Sequence, residues 1–160
     1  MYSALDIAKY IIALQPDEDI LPQEDWCGEH IAHLKLQKLL YYIQGYALAL
    51  YDRPMFREAV LAWPHGPVVQ VVYDAYKKFG YNPLPYPKGT ISLKEEKDIQ
   101  LIKEVYEEYS QFSAWKLRNM THQESPWVTN WSQERWNRQE ELVIDHSSLK
   151  KFFTPCIVDG

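Results

Sequence analysis

Cysteine is scarce in this 160-residue chain, with Cys27 and Cys156 the only two. Two isolated thiols make no disulfide framework, and reduced cysteines are expected. With only six glycines, the chain has no glycine-rich loop to cradle phosphate, and it lacks both a Gly-x-Ser-x-Gly elbow and a His-Glu-x-x-His pair. A positive excess is missing too. The net charge is −5, and Lys and Arg are scattered apart from pairs such as Lys77-Lys78 and Lys150-Lys151. A protein that lives by phosphate contacts needs a clustered basic patch, so nucleic acid is disfavoured as a partner. No apolar run is long enough for a membrane span, and the N-terminus shows no signal-peptide pattern, so the cytoplasm is the expected location. Internal repeats and low-complexity tracts are absent.

Apolar residues make up 46% of the chain, with six Trp and twelve Tyr. This length and composition predict a single globular domain over residues 1–160 with a proper core. Large amphipathic rings suit both cores and interfaces.

The chain is organised around residues 34–79. Leu36, Leu39, Leu40, Ile43, Tyr46, Ala47 and Leu50 recur at the helical period and predict one apolar arc. Gln37, Tyr41, Gln44, Gly45 and Leu48 form an opposite face that is also uncharged. The expectation is a central helix covered on both sides by its own chain. Gly45 in its interior costs about 1 kcal/mol relative to Ala, which close approach of another backbone would offset. Pro67 after Gly66 reads as the first turn of a second helix, with Val68, Val72, Ala75, Tyr76 and Phe79 as its stripe and Gly80 at its end.

Other elements follow from local signals. Ser3 with Asp6 starts a helix that Pro16 ends, and Ser92 with Glu95 makes a capping box for a helix carrying Ile99, Ile102, Tyr106 and Tyr109. Ser113 caps a further helix that gives Trp115 and Leu117 to the core, and Asp145 or Ser147 caps a last one that Pro155 stops. Pro126 should push Ser125 out of helical angles, leaving Thr121 and His122 at or just beyond a helix end. Residues 56–63 read as a connector or minor strand, since one short strand alone has no partner. The sum is an all-α bundle of five to seven helices around the central one, with at most one short strand pair.

The run Leu-Lys-Leu-Gln-Lys-Leu-Leu-Tyr-Tyr at 34–42, the Gly45-Tyr46 pair, Ala62-Trp63 with Gly66-Pro67-Val68-Val69, and Thr121-His122 with Pro126-Trp127 occur in that order. Together they resemble the Panacea domain, a family that includes SocA-like antitoxins and phage-associated GepA-like proteins. The resemblance implies an antitoxin that neutralises a cognate protein toxin by direct contact. For the SocA branch it also implies delivery of the toxin to the ClpXP protease, although Val158-Asp159-Gly160 is no clear protease tag. No DNA-binding role, cofactor or metal is implied, and self-association into a homo-oligomer stays open. Motif-bearing or toxin-binding residues would be Gln37, Tyr41, Gln44, Trp63, His65, Gly66, Pro67, Thr121, His122, Pro126, Trp127 and Trp136. Among these, Trp63, Tyr41 and Trp127 read as scaffold, and Trp136 within the polar segment 130–141 reads as contact.

Two chemical alternatives come from the residues themselves. His65 and His122, each in a Pro-containing bend near a Trp, could meet in one cleft with Glu124 and serve a small hydrolase. A histidine near a helix end more often bonds free backbone groups there, so the enzyme reading ranks below binding. Cys27, His30 and His33 stand at three-residue spacing, with Asp25 or Glu29 as a further ligand, but a structural zinc site needs four ligands and a recognisable second pair. The acidic bias between Asp17 and Glu29 reads as solvated surface.

Overall fold

The computed structural model describes residues 1–15, 32–80, 82–88 and 93–157. Among the described residues are eight α-helices: α1 (Ala4–Leu14), α2 (His33–Tyr51), α3 (Gln70–Tyr76), α4 (Glu96–Tyr109), α5 (Ala114–Thr121), α6 (Ser125–Asn130), α7 (Gln133–Asn137) and α8 (His146–Phe153). There are also three strands, β1 (Val60–Trp63), β2 (Gly66–Val68) and β3 (Val143–Ile144).

The all-α expectation is therefore corrected. The strands form one antiparallel sheet in the order β2-β1-β3. Trp63 opposes Gly66, so Pro64-His65 is the two-residue loop of a hairpin. Gly66 has φ +113°, a backbone angle that favours glycine at the turn. Pro67 is consequently a strand residue and not the first turn of a helix. It sits on an edge strand, where a missing N–H is tolerated. Residues 60–63 thus have two partners, β2 close by in sequence and β3 from far along the chain, where Val60 pairs with Ile144 and Leu61 with Val143.

Helix α2 is the hub. It packs against α1, α3, α4, α5, α8 and β2. Both of its faces are covered by the chain, as expected: Gln37, Tyr41, Gln44, Gly45 and Leu48 are buried along with Leu36, Leu39, Leu40, Ile43 and Ala47. Leu50 departs from the predicted arc and is 43% exposed. The group that approaches Gly45 is the Phe153 ring of α8, lying where a Cβ would stand, and not a backbone.

Polar residues of α2 bind backbone. Gln44 accepts from the amides of Met55 (2.8 Å) and Phe56 (3.2 Å) and donates to the Phe56 carbonyl (2.9 Å). Gln37 accepts from the Val69 amide at 2.8 Å. These bonds satisfy buried groups in segments that have no ladder of their own. The buried Asp98 carboxylate is met by Arg53 at 2.8 Å and the Tyr2 hydroxyl at 3.0 Å.

Local caps fall where the sequence puts them. Ser3, Ser113 and Asp145 accept from the amides of Asp6, Lys116 and Ser148. Ser92 and Pro16 lie outside the described residues, and Glu95 caps α4 without a side-chain bond. Ser125 opens α6, because the extended residue before it is Glu124 (ψ 138°). Asp145→Ala is expected to cost about 1 kcal/mol by loss of the cap. Urea unfolding measures this, and an unchanged midpoint would remove the cap's importance.

Candidate functional site

The two bends singled out in the sequence meet. The β1–β2 hairpin lies against the α5–α6 junction, and the Trp127 Nε1 proton is donated to the Trp63 carbonyl at 2.8 Å. Gly66 lets the hairpin pass closely, since a Cβ there would stand 2.8 Å from both Lys38 Cε and Thr121 Oγ1. Thr121 is buried and donates to the Arg118 carbonyl at 2.8 Å. Pro126 is buried at the start of α6.

Histidine chemistry at this junction runs through Arg118. Its Nε donates to His65 Nδ1 at 3.4 Å, and its Nη1 to Asn119 Oδ1 at 3.2 Å. His65, at the hairpin tip, is exposed. His122 stacks on Trp127 with centroids 4.1 Å apart and planes at 12°. Its Nε2 is enclosed without a hydrogen-bond partner. Burial, then the Arg118 and Lys38 cations, lower the His122 pKa, so its neutral form is favoured.

Two ionisable groups lie beneath, Lys38 buried and Glu124 half-buried. The Lys38 ammonium is fully enclosed and donates to the Pro67 carbonyl at 3.2 Å. Burial first, and Arg118 second, bring its pKa down to about 7. The Glu124 carboxylate receives the hydroxyls of Tyr41 and Tyr42, each at 2.9 Å. Burial pushes its pKa up to about 7, against the pull of those two bonds, and both tyrosines are raised in turn. At neutral pH these tyrosines are donors and not nucleophiles.

A run of rings borders the junction. Trp127 stacks on Trp131 at 5.6 Å, Trp131 meets Trp136 at 5.8 Å, and Trp136 meets Trp63 at 5.7 Å. Trp136 therefore has partners within its own chain and is half-buried. Trp115, assigned to the core from the sequence, is 63% exposed, while Leu117 is buried. The Arg118 guanidinium lies 4.7 Å from the Trp115 ring centroid.

The structure thus gathers His65, Gly66, Pro67, Trp63, Thr121, His122, Pro126 and Trp127 at one junction. Gln37 and Tyr41 brace it from α2, and Gln44 acts apart from it. Sequence reasoning missed Lys38, Arg118 and the outward Trp115. Lys38 carried a signal, a cation spaced between the core residues Leu36 and Leu39. Among the described residues no group of three or more His, Cys, Asp and Glu could hold a metal. Cys27 and His30 lie outside them, and His33 sits against Tyr73 at 4.8 Å. No helix among the described residues is long and apolar enough to cross a membrane.

The family model of the antitoxin SocA-like, Panacea domain matches residues 36–128, more than half of the chain and the stretch that contains this junction. The chain belongs to that antitoxin family. Comparison with curated proteins and with solved structures finds no match.

Proposed function

We propose that this protein neutralises a cognate protein toxin by stoichiometric contact, occluding the toxin without chemistry on it. The family match over residues 36–128 carries this reading. The junction supports it. Its polar groups are largely spent on holding the chain together: Gln37 on Val69, Lys38 on Pro67, Tyr41 and Tyr42 on Glu124. A hydrolase needs a nucleophile and a base within reach of each other, and here His65 faces a guanidinium while His122 faces an indole. In this reading Gln37, Tyr41, Gln44, Gly66, Pro67, Thr121 and Pro126 maintain the scaffold. His65, His122, Trp63, Trp127 and Trp136 keep surface for contact.

Induction of the adjacent reading frame, alone and together with this gene, is the test. Growth arrest in the first case, rescue in the second and co-purification of the two products are expected. The toxin should persist at unchanged level during rescue, because occlusion leaves it intact. Rapid loss of the toxin would replace occlusion by proteolytic delivery. An adjacent product that is harmless alone, or a purified sample that turns over a metabolite unaided, would overturn the reading.

A further inference from the structure

We propose that Arg118, with His65 and Trp115 beside it, receives a carboxylate from an acidic segment of the protein partner. This extends the antitoxin reading and rests on it for the partner's identity. The observation is a guanidinium with no acid among its described partners. Arg118 spends its donors on two neutral acceptors, His65 Nδ1 and Asn119 Oδ1. No described carboxylate bonds to Arg118, Lys38, His65 or His122, and Lys38 has a carbonyl as its partner. The chain as a whole carries net charge −5, yet no described acid is paired with Arg118. Glu124, the acid nearest in sequence, is held by Tyr41 and Tyr42.

A guanidinium has five N–H donors in a flat fork suited to a carboxylate. The Arg118 fork is oriented before any partner arrives, by the bond to His65 and by the Trp115 face. Because His65 accepts at Nδ1, its proton sits on Nε2, a second donor on an exposed ring. Trp115, 63% exposed, adds the large ring that protein interfaces favour beside Arg. Phosphate recognition along a nucleic-acid strand would require a longer basic track, and α5 offers only Lys116 and Arg118.

The test uses the full chain labelled for side-chain NMR, titrated with acetylated pentaglutamate amide, the matching pentaglutamine peptide and a single-stranded oligonucleotide. Pentaglutamate is expected to shift the Arg118 Nε–H and Trp115 Nε1–H signals saturably, with pentaglutamine leaving them in place. Arg118→Gln should weaken this binding by about tenfold or more, as loss of one partner of a charged pair does. Substitution of the exposed Arg57 by Gln should not. Trp115→Ala, at a position too exposed to threaten the fold, should weaken it as well. Stationary signals, undiminished binding by Arg118→Gln, or stronger shifts with the oligonucleotide would overturn the proposal. In the growth assay, rescue by the wild type and by Arg118→Glu alike would overturn it while leaving the antitoxin reading intact. Failure of the wild type to rescue would instead remove the antitoxin reading, and the peptide titration alone would then decide whether the carboxylate site stands.

Discussion

Gly45→Ala is expected to destabilise the fold by about 3 kcal/mol, although alanine is the better helix former. Propensity alone favours the substitution by about 1 kcal/mol. Overlap decides against it. The new methyl would occupy the place of the Phe153 ring atoms Cδ2 and Cε2. That ring is 1% exposed and boxed in by Tyr46 at 4.9 Å, Tyr41 at 5.5 Å and Tyr42 at 5.9 Å. Packed among these rings, it must push α8 away from α2, and overpacking of this kind typically costs about 1–3 kcal/mol or more. Urea unfolding measures the loss. Gly45→Ala combined with Phe153→Leu should recover most of it, because the smaller side chain vacates the contested space. A single variant as stable as the wild type would show that α8 does not seal α2 at this point.

The second large effect is a stability profile that dips near neutral pH, with Lys38 and Glu124 causing the two slopes. The folded-state pKa of Lys38 is depressed from 10.5 to about 7. Its stability contribution is therefore present above the unfolded value and lost as pH falls through the folded one, a change of about 5 kcal/mol. Glu124 is raised from 4.5 to about 7, so its contribution is present at acid pH and lost as pH rises towards 7. Lys38→Met should show its greatest advantage over the wild type at pH 6, reduced by the unpaired Pro67 carbonyl, and lose that advantage between pH 7 and 10. Glu124→Gln should flatten the acid side instead. Unfolding free energies of the three proteins across pH 5 to 10 provide the check. A Lys38→Met difference that does not vary with pH would mean that Lys38 keeps its charge throughout.

Both effects involve α2, through Gly45, Lys38 and the tyrosines that hold Glu124, and both depend on distant residues. That α2 exists, and that both its faces are covered, was legible in the period of residues 34–50 and in the uncharged face of Gln37, Tyr41, Gln44, Gly45 and Leu48. Its neighbours were not. Gly45 signalled a close approach, but a gap for a ring and a gap for a backbone leave the same mark in sequence. Trp115 and Trp136 illustrate the same limit. Each lies in a short, mixed-polarity helix, and the sequence reading sent the first to the core and the second to a partner. The structure turns Trp115 outward under Arg118 and places Trp136 between Trp63 and Trp131.

The sequence by itself determined the features that act within about one helical turn. These are the caps at Ser3, Ser113 and Asp145, the bend at Gly66, the helix end at Thr121-His122, and the ordered motifs that place the chain in its antitoxin family. Tertiary structure alone decided that Pro67 belongs to a strand, that Val143-Ile144 completes the sheet, that Lys38 is buried, and that Glu124 is half-buried against Tyr41 and Tyr42. Capping and turn geometry are settled by atoms a few bonds away, so they can be read along the chain. Strand pairing, burial and the meeting of Arg118 with His65 and Trp115 depend on which surfaces meet after the chain has closed on itself, and residue order does not encode those contacts locally.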